Sequence, residues 1–414
     1  MKGYSLPFAI FVFIIVIILS GTLILKAYQN YTVTNRIFIM EKMESNAQSA
    51  LNLIIVHPED YPYQQSTSLS LYGEIMDSVT LQKEQWGAFD IVKSSSSYLG
   101  ITRSHSALIG SYKCDSSSVA LFVPEAGQSI ALVGNVNISG ICKLPISKFS
   151  QPSIEGRNFT GSTGASALSA SSTRLPDLTP RLKNLRFESA NIKLTNDKMV
   201  PFEELETDTL SIPFFNDTAI TIFSSNPIIL DNKNISGKVM IFSEKSITIN
   251  RTTKLSDVIC YAPYIQVMSG FEGKCQLYAH DSICTEEACM FKYPSVIGIN
   301  NKTEKPAKLR FSKNCKLMGV TYLYSENSEK SNDILQIESG ATINGQVYSN
   351  KYTEIKGTIN GSLYTNKLIV QTPSSIYENT LMDATIDISK LSQNYVGVDI
   401  LNEGTSGGVI KWLY

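Results

Sequence analysis

The chain has few of the residues on which most enzymes depend. Only three of its 414 residues are histidine, and 36 lysines and arginines nearly balance 37 aspartates and glutamates. Without a basic excess, the protein lacks the electrostatic footprint of a nucleic-acid-binding protein. A Walker A loop, a G-x-S-x-G nucleophile motif and a dinucleotide fingerprint are also missing from the sequence. These absences argue against nucleic acid as a partner and leave no recognisable catalytic motif.

Acidic residues in the second half of the chain are scattered rather than paired. Glycoside hydrolysis needs two carboxylates across a sugar, and lyases need clustered acids for calcium with a basic residue beside them. None of the acids here forms a D-D or D-x-D pair or recurs at a fixed period: Asp231, Glu244, Asp257, Glu272, Asp281 and Glu354. We therefore predict that the protein is not an enzyme and has no catalytic residues and no cofactor.

One cluster has the residue types of a metal site, namely Cys275, His280, Cys284 and Cys289. Their spacing does not give the two close ligand pairs of a zinc finger, so we predict no metal site. The remaining cysteines are Cys114, Cys142, Cys260 and Cys315, which makes seven in all. In an oxidising compartment we expect some of them to pair and an odd one to stay free. The sequence does not determine which cysteines pair.

The chain does contain one long apolar run, residues 6–25, which has no charge and is flanked by Lys2 and Lys26. Twenty helical residues span roughly 30 Å, the thickness of the hydrocarbon core of a bilayer. The sequence therefore predicts a single membrane-spanning helix that contacts lipid through residues 6–25. A very short N-terminal tail favours a signal-anchor, with the C-terminal body outside the cytoplasm. A cleaved signal peptide with a site near Ser20 and Gly21 is the alternative, although its apolar region is usually shorter.

Helical periodicity continues beyond the apolar run. Apolar residues recur at spacings near 3.5 residues, at Ile37, Met40, Ala47, Leu51 and Ile54. The helix should end near His57, because Pro58 disfavours the helical conformation in the residue before it. We expect one helix of about 50 residues, half in lipid and half packed on a globular body.

Such an N-terminal helix resembles those of type IV pilins and pseudopilins over the first fifty-odd residues. Gly3 stands at the position of the peptidase site and is followed by Tyr4, Ser5 and Leu6. The glutamate that the family carries at the fifth position after the cut is Phe8 here. The resemblance implies a minor pilin or pseudopilin subunit whose helix packs in a filament or secretion apparatus, whereas a signal-anchor needs no such partner.

Residues 58–149 are typical of a β-rich domain. Short β-prone runs alternate with Gly, Ser, Asp and Pro, at residues 69–72, 79–81, 88–92, 106–112 and 119–123. We expect Trp86 to be buried for packing. Residues 150–185 include the small, polar stretch 160–173 and are predicted to form a flexible, exposed loop.

A repeat dominates the second half of the chain. Residues 343–351 read INGQVYSNK and residues 359–367 read INGSLYTNK, with a weaker copy that begins at Ile235. Repeats of about 16 to 19 residues are too short for two helices and suit one coil of a parallel β-helix. Val347 and Leu363 should then face inward and touch, and Gln346 should face outward. Two glycines at equivalent positions of the repeat, Gly345 and Gly361, should occupy corners.

This I-x-G-x-V-Y repeat resembles the polymer-forming β-helix repeats of bactofilins, and the resemblance implies a scaffold. Bactofilins are mostly cytoplasmic and lack an anchor with a large preceding domain. We expect the final residues to fold back as a cap over the last coil, because Val409, Trp412 and Leu413 are too apolar for a solvated tail. Such a cap would oppose end-to-end polymerisation.

Together these patterns predict a mainly β protein in seven segments. They are an N-terminal tail (1–5), a transmembrane helix (6–26), an amphipathic helix (27–57), a β-rich domain (58–149), a flexible loop (150–185), a parallel β-helix (186–375) and a C-terminal cap (376–414). The predicted function is a single-pass cell-envelope protein that serves as a structural or interaction scaffold for protein partners. The alternatives are a minor pilin-like subunit and a carbohydrate-binding or carbohydrate-active β-helix protein.

Overall fold

The computed structural model describes residues 5–113, 118–185, 198–205, 207–214, 216, 218–326, 331–401 and 407–413. The chain is mainly β, with one long N-terminal helix. It divides into two compact units. The first consists of Met1–Glu84 with Val92–Ala107, and the second of Gln85–Ile91 with Leu108–Tyr414.

The first unit begins with helix α1, Ser5–Val56, which ends where the sequence predicted. Its first half exposes apolar side chains throughout, and its second half buries one face. The buried residues recur every three or four positions: Ile39, Met43, Ala47, Ala50, Leu51, Ile54 and Ile55. Ile37, which we expected on this face, is 49% exposed. Periodicity shows which side of the helix is apolar. It does not show at which residue the globular body begins to cover that side, because this depends on the tertiary structure.

Four strands follow the helix in the order of the sequence: β1 (Ser66–Ser70), β2 (Ser78–Trp86), β3 (Phe89–Tyr98) and β4 (Ile101–Gly110). Residues 85–91 and 108–110 of these strands and their connections belong to the second unit, and the rest belong to the first. Strands β1 and β2 are antiparallel, with Ser68 opposite Thr80. Within the first unit, Ser94 Oγ donates to the carbonyl oxygen of Ala47 at 2.7 Å. Hydrogen bonds of this kind fix the helix on the sheet.

The second unit is built almost entirely of strands. In chain order they are β5 (Tyr112–Lys113), β6 (Val119–Phe122), β7 (Ile130–Val133), β8 (Asn137–Leu144), β9 (Phe149–Ser150), β10 (Ser162–Ala170), β11 (Lys198–Pro201), β12 (Thr209–Ile212), β13 (Ile220–Ser224), β14 (Ile228–Leu230), β15 (Asn234–Gly237), β16 (Val239–Ser243), β17 (Ser246–Ile249), β18 (Lys254–Tyr261), β19 (Tyr264–Val267), β20 (Glu272–Ala279), β21 (Ser282–Thr285), β22 (Met290–Asn301), β23 (Lys308–Phe311), β24 (Lys316–Ser325), β25 (Ile334–Ile337), β26 (Thr342–Ile355), β27 (Thr358–Gln371), β28 (Ile376–Glu378), β29 (Thr380–Met382), β30 (Thr385–Asp387), β31 (Val396–Gly397) and β32 (Gly408–Leu413). A short helix, α2, covers Pro180–Lys183.

Parallel pairing in register creates ladders of inward-facing residues across these strands. One continuous ladder contains Ile222, Ile241, Cys260, Leu277, Ile297, Thr321, Val347, Leu363, Leu121 and Cys142. A second contains Ile228, Ile247, Ile265, Ile283, Leu309, Leu335, Thr353 and Leu368. A third contains Phe291, Leu317, Ile343, Ile359, Ile386 and Ile138. Every member of the three ladders is buried. The prediction that Val347 and Leu363 face inward and lie next to each other is confirmed.

Glycines occupy one column of this sheet. Gly319, Gly345 and Gly361 pair in register and have φ values of 149°, 147° and 152°. A Cβ atom on Gly361 would lie 1.9 Å from the carbonyl oxygen of Gly345, which no side chain tolerates. Gly345 and Gly361, which we expected at corners, lie within strands β26 and β27, where the close approach of the neighbouring backbone requires glycine.

The last repeat is covered differently from our prediction. Strand β27 pairs in parallel with β6 and β30, and β8 then pairs with β10. The stretch predicted as a flexible loop thus contains strand β10, which lies at the end of the stack. Within the predicted cap segment, β28 and β30 do pair with the last repeat strand, β27. The residues expected to form the cap lie elsewhere: Leu413 is buried in a second core cluster with Trp86 and Tyr348, and Trp412 is 38% exposed. Residues 119–122 cover the rest of β27. Those residues carry the same inward aliphatic side chains as the repeats and extend the ladder.

Candidate interaction surfaces

The four residues of the metal-like cluster do not converge. Cys275 and Cys289 lie in the main hydrophobic core, whereas Cys284 alternates with inward-facing Ile283 and points away from the core. His280 Nδ1 lies 2.8 Å from Asp281 Oδ1. Among the residues that the structure describes, no group of three or more His, Cys, Asp or Glu side chains is placed to hold a metal ion.

Most of the scattered acids have local structural partners. Asp257 is buried and lies 3.1 Å from Lys274 Nζ and 2.8 Å from Lys411 Nζ. Asp231 accepts a hydrogen bond from Thr252 at 2.6 Å, and this bond lowers the pKa of the Asp231 carboxyl. The two other histidines each lie near one glutamate, His57 at 3.5 Å from Glu59 and His105 at 2.8 Å from Glu44.

One outer face of the stack is covered by other segments of the second unit. The side chain of Gln276 holds one of them: its Nε2 donates to Trp86 O at 3.0 Å, and its Oε1 accepts from Ala88 N at 2.9 Å. Trp86 is 3% exposed and its Nε1 donates to Asp257 O at 3.1 Å, so its predicted packing role is confirmed. We call the outer side of β20, β22, β24 and β26 the covered face.

Gln346 belongs to this covered face and not, as we predicted, to the solvent. It is 4% exposed, and its Oε1 accepts a hydrogen bond from Val398 N at 3.0 Å. Nearby, Tyr348 Oη donates to Pro176 O at 3.1 Å, and burial raises the pKa of Tyr348 above its usual range. Alternation along a strand identifies the outward side chains, but it does not show that another segment packs on them. The available signal was one outward column that is rich in aromatic residues: Phe223, Phe242, Tyr261, Tyr278, Tyr322, Tyr348 and Tyr364.

A second outer face is polar and accessible. The outward residues that alternate with the second ladder are Thr248, Gln266, Cys284, Arg310, Gln336 and Glu354, and all but Glu354 are half-buried. Arg310 Nε donates to Glu338 Oε1 at 2.7 Å, and Gln336 Nε2 donates to Glu354 Oε2 at 2.9 Å. At its margin Tyr264 is 48% exposed. We call this surface the open polar face.

The N-terminal helix is the other exposed surface of note. Within the described part of the chain, it is the one helix long and apolar enough to cross a membrane. Apolar and aromatic exposure continues past the twenty-residue run, since Tyr28, Tyr31 and Phe38 are 67%, 70% and 57% exposed. The helix therefore offers roughly three further turns of accessible surface between Lys26 and the buried stripe.

Comparison with known proteins adds no family to these observations. No family model, no curated protein and no solved structure matches the chain at a significant level.

Proposed function

We propose that this protein is a single-pass component of the cell envelope, anchored by residues 6–25, whose body outside the cytoplasm is a parallel β-helix that serves as a scaffold for protein partners. The carrying observation is the set of three in-register ladders, because stacked repeats of this kind give a stiff body with long lateral faces.

The β-helix interpretation rests on how the ladders follow one another along the chain. A long strand changes register partway, as β20 does between Gly273 and Gln276, and a shorter strand such as β21 follows. Each of these then pairs with its equivalent in the next repeat. Three inward ladders from one repeat correspond to three sides of a coil. Glycines at equivalent positions of successive repeats and an aliphatic interior support the same interpretation.

Partner binding is assigned to the open polar face. Hydrogen bonds with the buried side chains of Gln276 and Gln346 hold other segments of the same unit on the covered face. The covered face is therefore already filled by the chain itself. To test the assignment, the full chain is cross-linked in native membranes and the linked peptides are identified by mass spectrometry. Gln266→Arg and Gln336→Arg should reduce the recovered cross-links at least tenfold. Thr358→Arg, away from that face, is the control, and unchanged cross-linking of all three variants would refute the assignment.

Membrane anchoring has its own test. The protein should stay with the membrane fraction after a high-salt wash, and protease should digest the body only when the outer side of that membrane is accessible. The twenty uncharged residues of the helix are the reason for this expectation. Release of a soluble chain that begins near Gly21 would instead support a cleaved signal peptide.

A pilin-like subunit is the second candidate. The unbroken helix Ser5–Val56 favours it, as do the exposed aromatic residues Tyr28 and Tyr31 beyond the bilayer-length run. A simple membrane anchor does not need this exposed part of the helix, whereas in a filament the helices of neighbouring subunits pack against it. Mass spectrometry of the mature N-terminus separates the candidates: a chain that begins at Tyr4 with a methylated amine supports a pilin, and an intact Met1 or its simple removal supports the anchor.

A further inference from the structure

Cys289 and Cys315 occupy equivalent positions in adjacent strands. Lys316 N donates to Cys289 O at 2.8 Å, and Met290 lies opposite Lys316 in the parallel register. The two cysteines precede this pair by one residue and are therefore direct neighbours across the ladder. Neighbouring strands are about 4.8 Å apart, which falls within the Cα separation that a disulfide spans.

The two sulfur atoms also point to the same place. Cys289 Sγ lies 3.3 Å from the carbonyl oxygen of Glu286, and Cys315 Sγ lies 2.9 Å from the same oxygen. Both residues are 1% exposed. Thr285 Oγ1 lies 3.2 Å from Cys315 Sγ. Both residues are free thiols in the structure. A hydrogen bond from the Cys289 thiol lowers the pKa of Cys315 and raises the pKa of Cys289.

We propose that Cys289 and Cys315 form a disulfide that joins adjacent coils when the chain folds in an oxidising compartment, which rests on the proposed location of the body. Glutathione disulfide represents the class of oxidant. The Cys315 thiolate attacks one of its sulfurs and expels a glutathione thiolate, which takes a proton. Cys289 then attacks the Cys315 sulfur of the mixed disulfide, loses its own proton and expels the second glutathione. The protein gives up two electrons and two protons, and the oxidant becomes two thiols.

Another buried pair provides an internal control. Cys260 and Cys275 are both fully buried, but Cys275 lies opposite Val258, two residues from Cys260. The diagonal between such positions is about 8 Å, beyond the reach of a disulfide. Burial raises the pKa of Cys260 to about 12, which leaves it a poor nucleophile. Cys260 and Cys275 should therefore remain thiols under the same conditions.

The test uses the full chain in detergent, refolded from denaturant into glutathione buffers of increasing oxidised fraction and then alkylated. Digestion with trypsin and a glutamate-specific protease separates Cys289 from Cys284, because Glu286 and Glu287 lie between them. The expected product is peptide 288–292 linked to peptide 314–316, two hydrogens lighter than the sum. Complete alkylation of both peptides in refolded chain at the most oxidising buffer would overturn the proposal.

Stability provides an independent readout. Closing a loop between residues 289 and 315 restricts the unfolded chain, so reductant should lower the denaturation midpoint of the wild type by several °C. Cys289→Ser and Cys315→Ser should respond little to reductant, whereas Cys260→Ser should respond as the wild type does. Chain alkylated directly from native membranes tests the location: free thiols there, with a link after refolding, would refute the oxidising compartment while leaving the pairing intact.

Discussion

The two compact units are organised by different kinds of contact. In the first, an amphipathic helix lies on strands that follow one another closely in the sequence, as Ser94 and Ala47 show. In the second, parallel strands pair with equivalents from the next repeat, and the ladder that contains Val347 also takes Leu121 from far earlier in the chain. Each inward side chain of a ladder lies between its equivalents in the two adjacent strands. A substitution at one position therefore disturbs the packing of both strands.

This difference has a practical consequence for experiments. Both tryptophans of the chain, Trp86 and Trp412, belong to the second unit. Intrinsic fluorescence therefore follows the unfolding of the second unit, and hydrogen exchange in α1 and β2 follows that of the first. Mutations in one unit can be compared with mutations in the other in a single full-length protein.

The largest effect is expected for Val347→Asp. Val347 is fully buried between Thr321 and Leu363, where a carboxylate has neither water nor a charged partner. The substitution should lower the free energy of unfolding of the second unit by about 4 kcal/mol or more. A fall in the denaturant midpoint of tryptophan fluorescence measures it.

Ile376→Asp is the matched control, because Ile376 is 65% exposed in the hairpin after the last repeat. It should change the unfolding free energy by less than about 0.5 kcal/mol. If the two variants were equally stable, the register of the ladders would be wrong.

In both units, sequence reasoning succeeded where a local pattern in the sequence determines the structure. The repeat predicted the inward positions of Val347 and Leu363, because two similar segments stack with their equivalent residues side by side. Amino-acid composition alone does not reveal this contact. Pro58 likewise predicted that the helix ends near His57, because proline disfavours the helical conformation in the residue before it, and the helix ends at Val56.

Prediction failed where the structure depends on a contact between two segments whose sequences are unrelated. Gln346 looks like a solvent-facing residue until residues 395–400 pack over it, and Val398 N is its partner. Residues 119–122 extend the inward ladder through Leu121, and Phe122 stacks on Tyr364, although their sequence does not contain the I-x-G-x-V-Y repeat. Neither relation leaves a local signal in a single sequence. The same holds for Cys289 and Cys315, which are neighbours because of the strand register and not because of their spacing in the sequence.

An intermediate effect is expected in the first unit. Leu51→Ala removes a fully buried side chain from the helix face and should destabilise that unit by about 3 kcal/mol. Leu53→Ala, at a position 42% exposed, is the control and should be nearly neutral. Hydrogen exchange should accelerate in α1 and β2 while the fluorescence midpoint stays constant. A parallel loss of fluorescence stability would show that the two units unfold together, and the comparison would fail.

The smallest effect concerns Asp77, a buried carboxylate 3.0 Å from Lys42 Nζ. The hydrogen bond with Lys42 lowers the pKa of Asp77, and a further bond from Asn46 acts in the same direction. Because its pKa is lower in the folded state, Asp77 stabilises the first unit above the pKa of the unfolded chain, and this contribution is lost as pH falls through the folded value. Asp77→Asn should therefore speed hydrogen exchange in α1 near about pH 7, and this effect should shrink as pH falls below the pKa of an unfolded aspartate, about 3.9. The second unit should not respond to the substitution at either pH. Equal sensitivity of wild type and variant to acid would show that another carboxylate governs the first unit.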